Sequence, residues 1–156
     1  PITFLPYLSG ERTPHNAPDA TGAFHGLRRG HGLPDMVQAV MEGVGFAFAD
    51  CCRALEQCGS LPKRVCVAGG GSQSETWLQM IADITGLTLD VPESGAQGAA
   101  LGAARLAMLG SGEAAQAEVI HPPKIRKSIA PNPALEGAYA QSYAAYRKAW
   151  TGGLTR

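Results

Sequence analysis

Arg64-Val65-Cys66-Val67-Ala68-Gly69-Gly70-Gly71-Ser72-Gln73-Ser74, running on into Glu75-Thr76-Trp77-Leu78-Gln79-Met80-Ile81-Ala82-Asp83, is the stretch on which the reading of this chain turns. A short β-branched run breaks into three glycines, then a serine-flanked start, then apolar residues at helical spacing. The pattern predicts a strand, a backbone-only turn and a helix from about 74 to 85. A helix start offers unpaired N–H groups and the positive end of the macrodipole, and glycines let an anion approach without meeting a Cβ. Gly71, Ser72 and Ser74 are therefore candidate phosphate contacts. The turn alone is equally compatible with a ligand-free connection, because glycine punctuates many strand-to-helix junctions. A dinucleotide fingerprint would open correctly on Gly69-x-Gly71, with Asp90 near the ribose-binding distance. Its third glycine, however, would fall at Ser74, and a helix precedes the turn.

Outward from this stretch, 156 residues with 45% hydrophobic and 17% charged content describe one globular domain with a real core. Thirteen basic residues balance thirteen acidic ones, which leaves no electrostatic footprint for nucleic acid or an anionic membrane. No apolar run reaches the roughly 20 residues of a membrane span, and the N-terminus lacks the order of a signal peptide. Cys51, Cys52, Cys58 and Cys66 form no C-x-x-C pair and read as reduced core thiols of a cytoplasmic protein. The chain opens on Pro1-Ile2-Thr3-Phe4-Leu5-Pro6 without an initiator Met, so we expect a piece of something larger.

Residues 2–8 and 22–27 read as short strands around the proline-punctuated loop Ser9–Asp19, which carries Glu11 and Arg12. Pro34 opens a long helix to about Cys58, with Gly59 as its stop. Val37, Val40, Met41, Val44, Phe48, Cys51 and Leu55 recur at helical steps and are expected to face the core. Gly43 and Gly45 inside this helix call for a close approach by another backbone, and Glu42 beside them is expected to be a buried, paired carboxylate. Gly86 should cap the helix after the glycine turn, followed by a strand over 87–91 closed by Pro92. Trp77, Met80, Ile81 and Ile84 share one face of that helix, with Trp77 a core anchor. A small-residue helix begins near Ser94 with Gly98 at a possible close contact; 111–132 wraps the surface or adds an edge strand. A last helix over 134–150 carries Tyr139, Tyr143, Tyr146 and Trp150 as packing residues, and 151–156 is a flexible tail. His15, His25, His31 and His121 are scattered and assemble no catalytic order.

Several motifs in one order add a resemblance. Gly22-x-Phe24-x-Gly26-Leu27, seven residues, then Asp35-Met36-x-x-Ala39-Val40-Met41-Glu42 resembles the second signature of the FGGY carbohydrate kinases. Phe4-Leu5-Pro6-Tyr7-Leu8-Ser9-Gly10-Glu11-Arg12-Thr13-Pro14 resembles their xylulokinase branch. The Gly69-Gly70-Gly71 turn with Trp77, Gln79 and Asp83, and the Gly98–Ala104 helix, are similar to the family as well. The resemblance implies an α/β, ribonuclease H-like (actin-like ATPase) fold in which two domains close over a cleft. Residues 1–150 would be part of the C-terminal domain, with the N-terminal domain absent. It implies an ATP-dependent, Mg2+-using sugar kinase whose partners are a small-molecule sugar and ATP, and it admits a homodimer. The sugar it points to first is D-xylulose; gluconate, ribulose, a deoxyketose or glycerol are the alternatives. A noncatalytic actin-like nucleotide-binding module is a reading from another class.

Carried over by position, Gly70 matches the glycine that approaches the nucleotide phosphates and Ser74 the polar position beside the adenosine, with Gly71, Ser72 and Gln73 as neighbours. The catalytic Asp, the first phosphate loop and most sugar contacts would lie upstream of residue 1. None of Asp19, Asp35, Asp50, Asp83 or Asp90 matches that Asp, so no catalytic residue or metal ligand is assigned, and the isolated chain is expected to be inactive. Ala17 and Thr21 stand where the family more often has Asp and Arg.

Overall fold

The computed structural model describes residues 2–95, 98–112 and 115–153. The architecture is α/β, in two sheets bridged by one long helix. Strands β1 (Thr3–Leu5) and β2 (Ala23–His25) form an antiparallel hairpin with Phe4 opposite Phe24. Helix α1 (Leu33–Gln57) follows, with Pro34 in its first turn and Gly59 in the left-handed region after its end. Strand β3 (Arg64–Cys66) then enters the glycine turn. Helix α2 (Glu75–Thr85) closes on the left-handed Gly86 and returns to β4 (Thr88–Pro92), parallel to β3. The expected strand–turn–helix is therefore present, as one parallel β–α–β unit.

Helix α3 (Gly98–Ser111) carries no buried residue, in keeping with its small side chains. The start expected near Ser94 is a turn instead, and Ala96 and Gln97, between it and the helix, lie outside the described residues. The polar 111–132 segment adds a short helix α4 (Gln116–Val119) and the antiparallel edge strand β5 (Ile125–Ile129), so the sheet order is β3-β4-β5. Helix α5 (Glu136–Gly153) runs past the expected end at Trp150, and the rest of the expected tail, 154–156, lies outside the described residues.

Two larger cores, and a small one of Ile2, Phe4 and Ala39, hold these layers. Leu78, Ala82, Leu87, Leu89, Val91 and Ile129 pack α2 onto the three-stranded sheet. Leu5, Tyr7, Phe46, Tyr146 and Trp150 lock the hairpin, α1 and α5 together, so the tyrosine ladder is packing, as its spacing predicts. Gly43 admits the hairpin: a Cβ there would stand 2.3 Å from the Phe4 carbonyl oxygen. At Gly45 the close neighbour is a side chain, Ile84, rather than backbone.

Three expectations fail here. The face of α1 expected in the core is largely open: Val37, Phe48 and Leu55 are 49%, 49% and 45% exposed, while Ala39, Gly43, Phe46, Ala49 and Asp50 are buried. The hairpin and α5 grip the helix on its small-residue side. Phe48, Cys51 and Leu55 instead look onto an apolar cavity of about 530 Å³ beside β3, which among the described residues pairs along one edge. Glu42 is paired but not buried: it is half-exposed and accepts a hydrogen bond from the Gln38 side-chain amide at 2.8 Å. The cysteines are free, but Cys58 and Cys66 are exposed and only Cys51 and Cys52 are half-buried, because β3 and the end of α1 lie at the surface.

Candidate functional site

The glycine turn is built by hydrogen bonds that fix its shape without using all its donors. Val67 extends the ladder by donating its N–H to Asp90 O at 2.9 Å, and the chain then leaves the sheet. Gly69 takes φ +96° and ψ 179°, a conformation essentially restricted to glycine, and its N–H donates to Gly95 O at 2.8 Å. Gly70–Gln73 form one 3₁₀ turn. The Ser72 N–H and hydroxyl both donate to Gly69 O, at 3.1 and 2.7 Å, and the Ser74 N–H donates to Gly71 O. Ser74 is the N-cap of α2, its Oγ accepting from Trp77 N at 3.3 Å.

Among the described residues no acceptor takes the N–H of Gly70 or Gly71, so two successive amides stay bare at the head of the turn. A Cβ built on Gly70 meets nothing within 4 Å. One built on Gly71 would stand 2.8 Å from the Trp77 ring. Gly70 is therefore open toward solvent, whereas Gly71 is small because the indole lies over it. The five residues singled out from sequence thus divide. Gly70, Gly71, Gln73 and Ser74 are exposed, and Ser72 is buried with its hydroxyl engaged inside the turn. Gly98 brings the start of α3 against the same turn, since a Cβ there would lie 2.8 Å from that of Ala68.

Bare amides, an open glycine and the start of an eleven-residue helix are the features from which phosphate seats are built. Glu75, in the first turn of α2, would oppose an anion. Its carboxylate pairs with Lys127 Nζ at 2.7 Å, a hydrogen bond that holds it below the usual carboxylate range. Trp77 anchors the seat from below by donating its indole N–H to Met41 O at 3.2 Å. No three His, Cys, Asp or Glu side chains converge as metal ligands among the described residues. No described helix is long and apolar enough to cross a membrane.

A second polar centre escaped the sequence. The Asp50 carboxylate, fully buried on α1, takes Arg147 Nη1 at 2.8 Å, His15 Nε2 at 3.0 Å and the Tyr143 hydroxyl. It ties the 9–18 loop to α1 and α5, and burial pushes the Tyr143 phenol up to about 12, so that it stays a neutral donor. Nothing local to Asp50 announces this cluster, since His15, Tyr143 and Arg147 lie 35, 93 and 97 residues from it.

The chain and its fold have relatives among known proteins. The model of the FGGY family of carbohydrate kinases, C-terminal domain, matches residues 1–111. The chain is 47% identical over 150 residues to the xylulose kinase of Escherichia coli strain K12, covering 94% of this chain and 29% of that protein. It is 52% identical over 107 residues to the xylulose kinase of Klebsiella pneumoniae, covering 69% of this chain and 22% of that protein. The crystal structure of a xyloylose kinase from Brucella ovis superposes with a TM-score of 0.83 at 40% identity, covering 97% of this chain and 31% of that one. The chain thus spans about three tenths of the length of its full-length E. coli relative. Its fold is the ribonuclease H-like, actin-like α/β fold of these sugar kinases. The chain belongs to the FGGY family of carbohydrate kinases.

Proposed function

We propose that the protein containing this chain transfers the γ-phosphate of Mg-ATP to a ketopentose hydroxyl, foremost that of D-xylulose, in the cytoplasm. This chain, as part of the C-terminal domain, supplies the nucleotide wall. The observation that carries the reading is the pair of bare amides at Gly70 and Gly71 beside an open Cα, within a chain close in sequence to xylulose kinases. ATP supplies the transferable phosphoryl group and Mg2+ the charge compensation on it. The Gly70 and Gly71 amides donate to a phosphate oxygen, and Ser74 and Gln73 border the adenosine. Ser72 keeps the turn in shape through its hydroxyl bond to Gly69. The base and the metal contacts come from the remainder of the kinase, which also covers the open edge of β3 and the apolar side of α1.

The test is a coupled ADP-release assay on the intact protein with a panel of sugars. The reading expects turnover of D-xylulose above the other ketoses, polyols and gluconate. Turnover confined to another acceptor rejects the sugar, and ATP binding without any turnover points to the noncatalytic class. Gly70→Val is expected to raise the KM for ATP about tenfold or more, with a smaller change in the KM for sugar, because a branched side chain enters the phosphate path. An unchanged KM for ATP removes Gly70 from the site.

A further inference from the structure

Away from the glycine turn, a cavity of about 430 Å³ lies between the 17–21 loop, one face of the β1–β2 hairpin and the end of α5. That volume is in the range of small-molecule sites, roughly 300–1,000 Å³. The hairpin register sets Leu5 opposite Ala23 and Thr3 opposite His25. Leu5, Ala23 and His25 therefore share this face, and Phe4 and Phe24 pack on the other, with ring centroids 4.7 Å apart. Leu5 and the indole of Trp150, both nearly buried, make an apolar floor. Asp19, Thr21 and His25 make the polar wall.

The polar wall is idle. Among the described residues no side chain hydrogen-bonds or ion-pairs with those of Asp19, Thr21 or His25. The contrast within the same loop is sharp, because His15 is committed to the buried Asp50. Both positions at which the sequence departs from the usual family residues, Ala17 and Thr21, also line this space.

We propose that this cavity binds a small neutral polyol, with Asp19, Thr21 and His25 as its hydroxyl partners. A carboxylate accepts from hydroxyls, a threonine hydroxyl does either, and an imidazole offers one donor and one acceptor, so all three serve an uncharged polyhydroxylated ligand. The C–H faces of such a ligand rest on Trp150 and Leu5. An anion would meet the Asp19 carboxylate. A cation would find one solvated carboxylate and no second anion in the wall, too little for selective capture.

The test uses the intact protein labelled with 5-fluorotryptophan, its Trp150 ¹⁹F resonance assigned by Trp150→Phe. Xylitol is titrated in, with putrescine and inorganic phosphate as the cationic and anionic arms. The proposal expects a saturable shift of the Trp150 resonance by xylitol, on the order of millimolar affinity. It also expects Asp19→Ala and Thr21→Arg each to weaken that response at least about tenfold, with an unchanged melting temperature. A resonance indifferent to xylitol, a shift that both variants leave intact, or a response to putrescine or phosphate in place of xylitol overturns it.

Discussion

Gly70 and Gly71 are adjacent and chemically identical, yet they are glycine for different reasons. Nothing of the protein lies within 4 Å of a Cβ at Gly70, while at Gly71 the Trp77 ring would be 2.8 Å away. Gly70→Ala is expected to leave the unfolding free energy within about 0.5 kcal/mol while raising the KM for ATP. Gly71→Ala is expected to cost about 1–3 kcal/mol, because the indole must move. Thermal melts of the two variants check this, and equal losses would contradict it. The sequence made the turn legible, since three glycines between a β-branched run and a serine cap have few other uses. It could not divide the glycines, or reveal that Ser72 turns inward, because both depend on where Trp77 and the Gly69 carbonyl sit. Asp50 and His15 were illegible for a stronger reason. A buried carboxylate looks like any helix acid until the loop and α5 close around it.

At the scale of elements, boundaries followed the local chemistry closely: Pro34 and Gly59 on α1, Ser74 and Gly86 on α2, Pro92 at the end of β4. The apolar periodicity of α1 marks the side that this chain leaves largely uncovered. Its large apolar residues look onto open space and a cavity, while the buried side is built from Ala39, Gly43, Gly45 and Ala49 around Phe46. Small residues carry little hydrophobic signal, yet they are what allows the hairpin backbone to sit against Gly43. The sheet, in turn, is stapled by a feature that spans its three strands. Asp90 on β4 accepts from Ser128 Oγ on β5 at 2.5 Å, and from Arg64 on β3 at 2.6 and 3.0 Å. The Ser128 bond first, and the Arg64 bonds next, hold the Asp90 carboxyl below its usual range. A carboxyl depressed in the folded state stabilises above its unfolded pKa, and that contribution is lost as pH falls through the folded value. Arg64→Met is therefore expected to destabilise the protein at pH 7, by an amount that shrinks once the pH drops below about 4. Urea titrations across pH give the comparison. A difference that persists unchanged into strong acid would show that the loss does not come from the pairing of Arg64 with the Asp90 carboxylate.

We propose that the chain is part of a larger molecule, since it spans 29% of the length of its E. coli relative. The family was readable from the order of motifs, from the Phe4–Pro14 run through the signature at 22–42 to the glycine turn, and the relatives agree over most of the chain. Packing was less readable, because apolar spacing marks a face that wants cover without saying whether this chain provides it. Among the described residues β3 keeps one edge unpaired and α1 keeps Val37, Phe48 and Leu55 exposed, in a chain that spans 29% of its E. coli relative. We propose that the remainder of the kinase covers those surfaces, so that the nucleotide seat closes from the opposite side. A crystal structure of the intact protein with ADP and Mg2+ tests this most directly. The account predicts a phosphate oxygen within hydrogen-bond distance, about 2.7–3.2 Å, of the Gly70 or Gly71 amide, with the adenosine bordered by Ser74. ADP bound elsewhere, with both amides facing solvent, would contradict it.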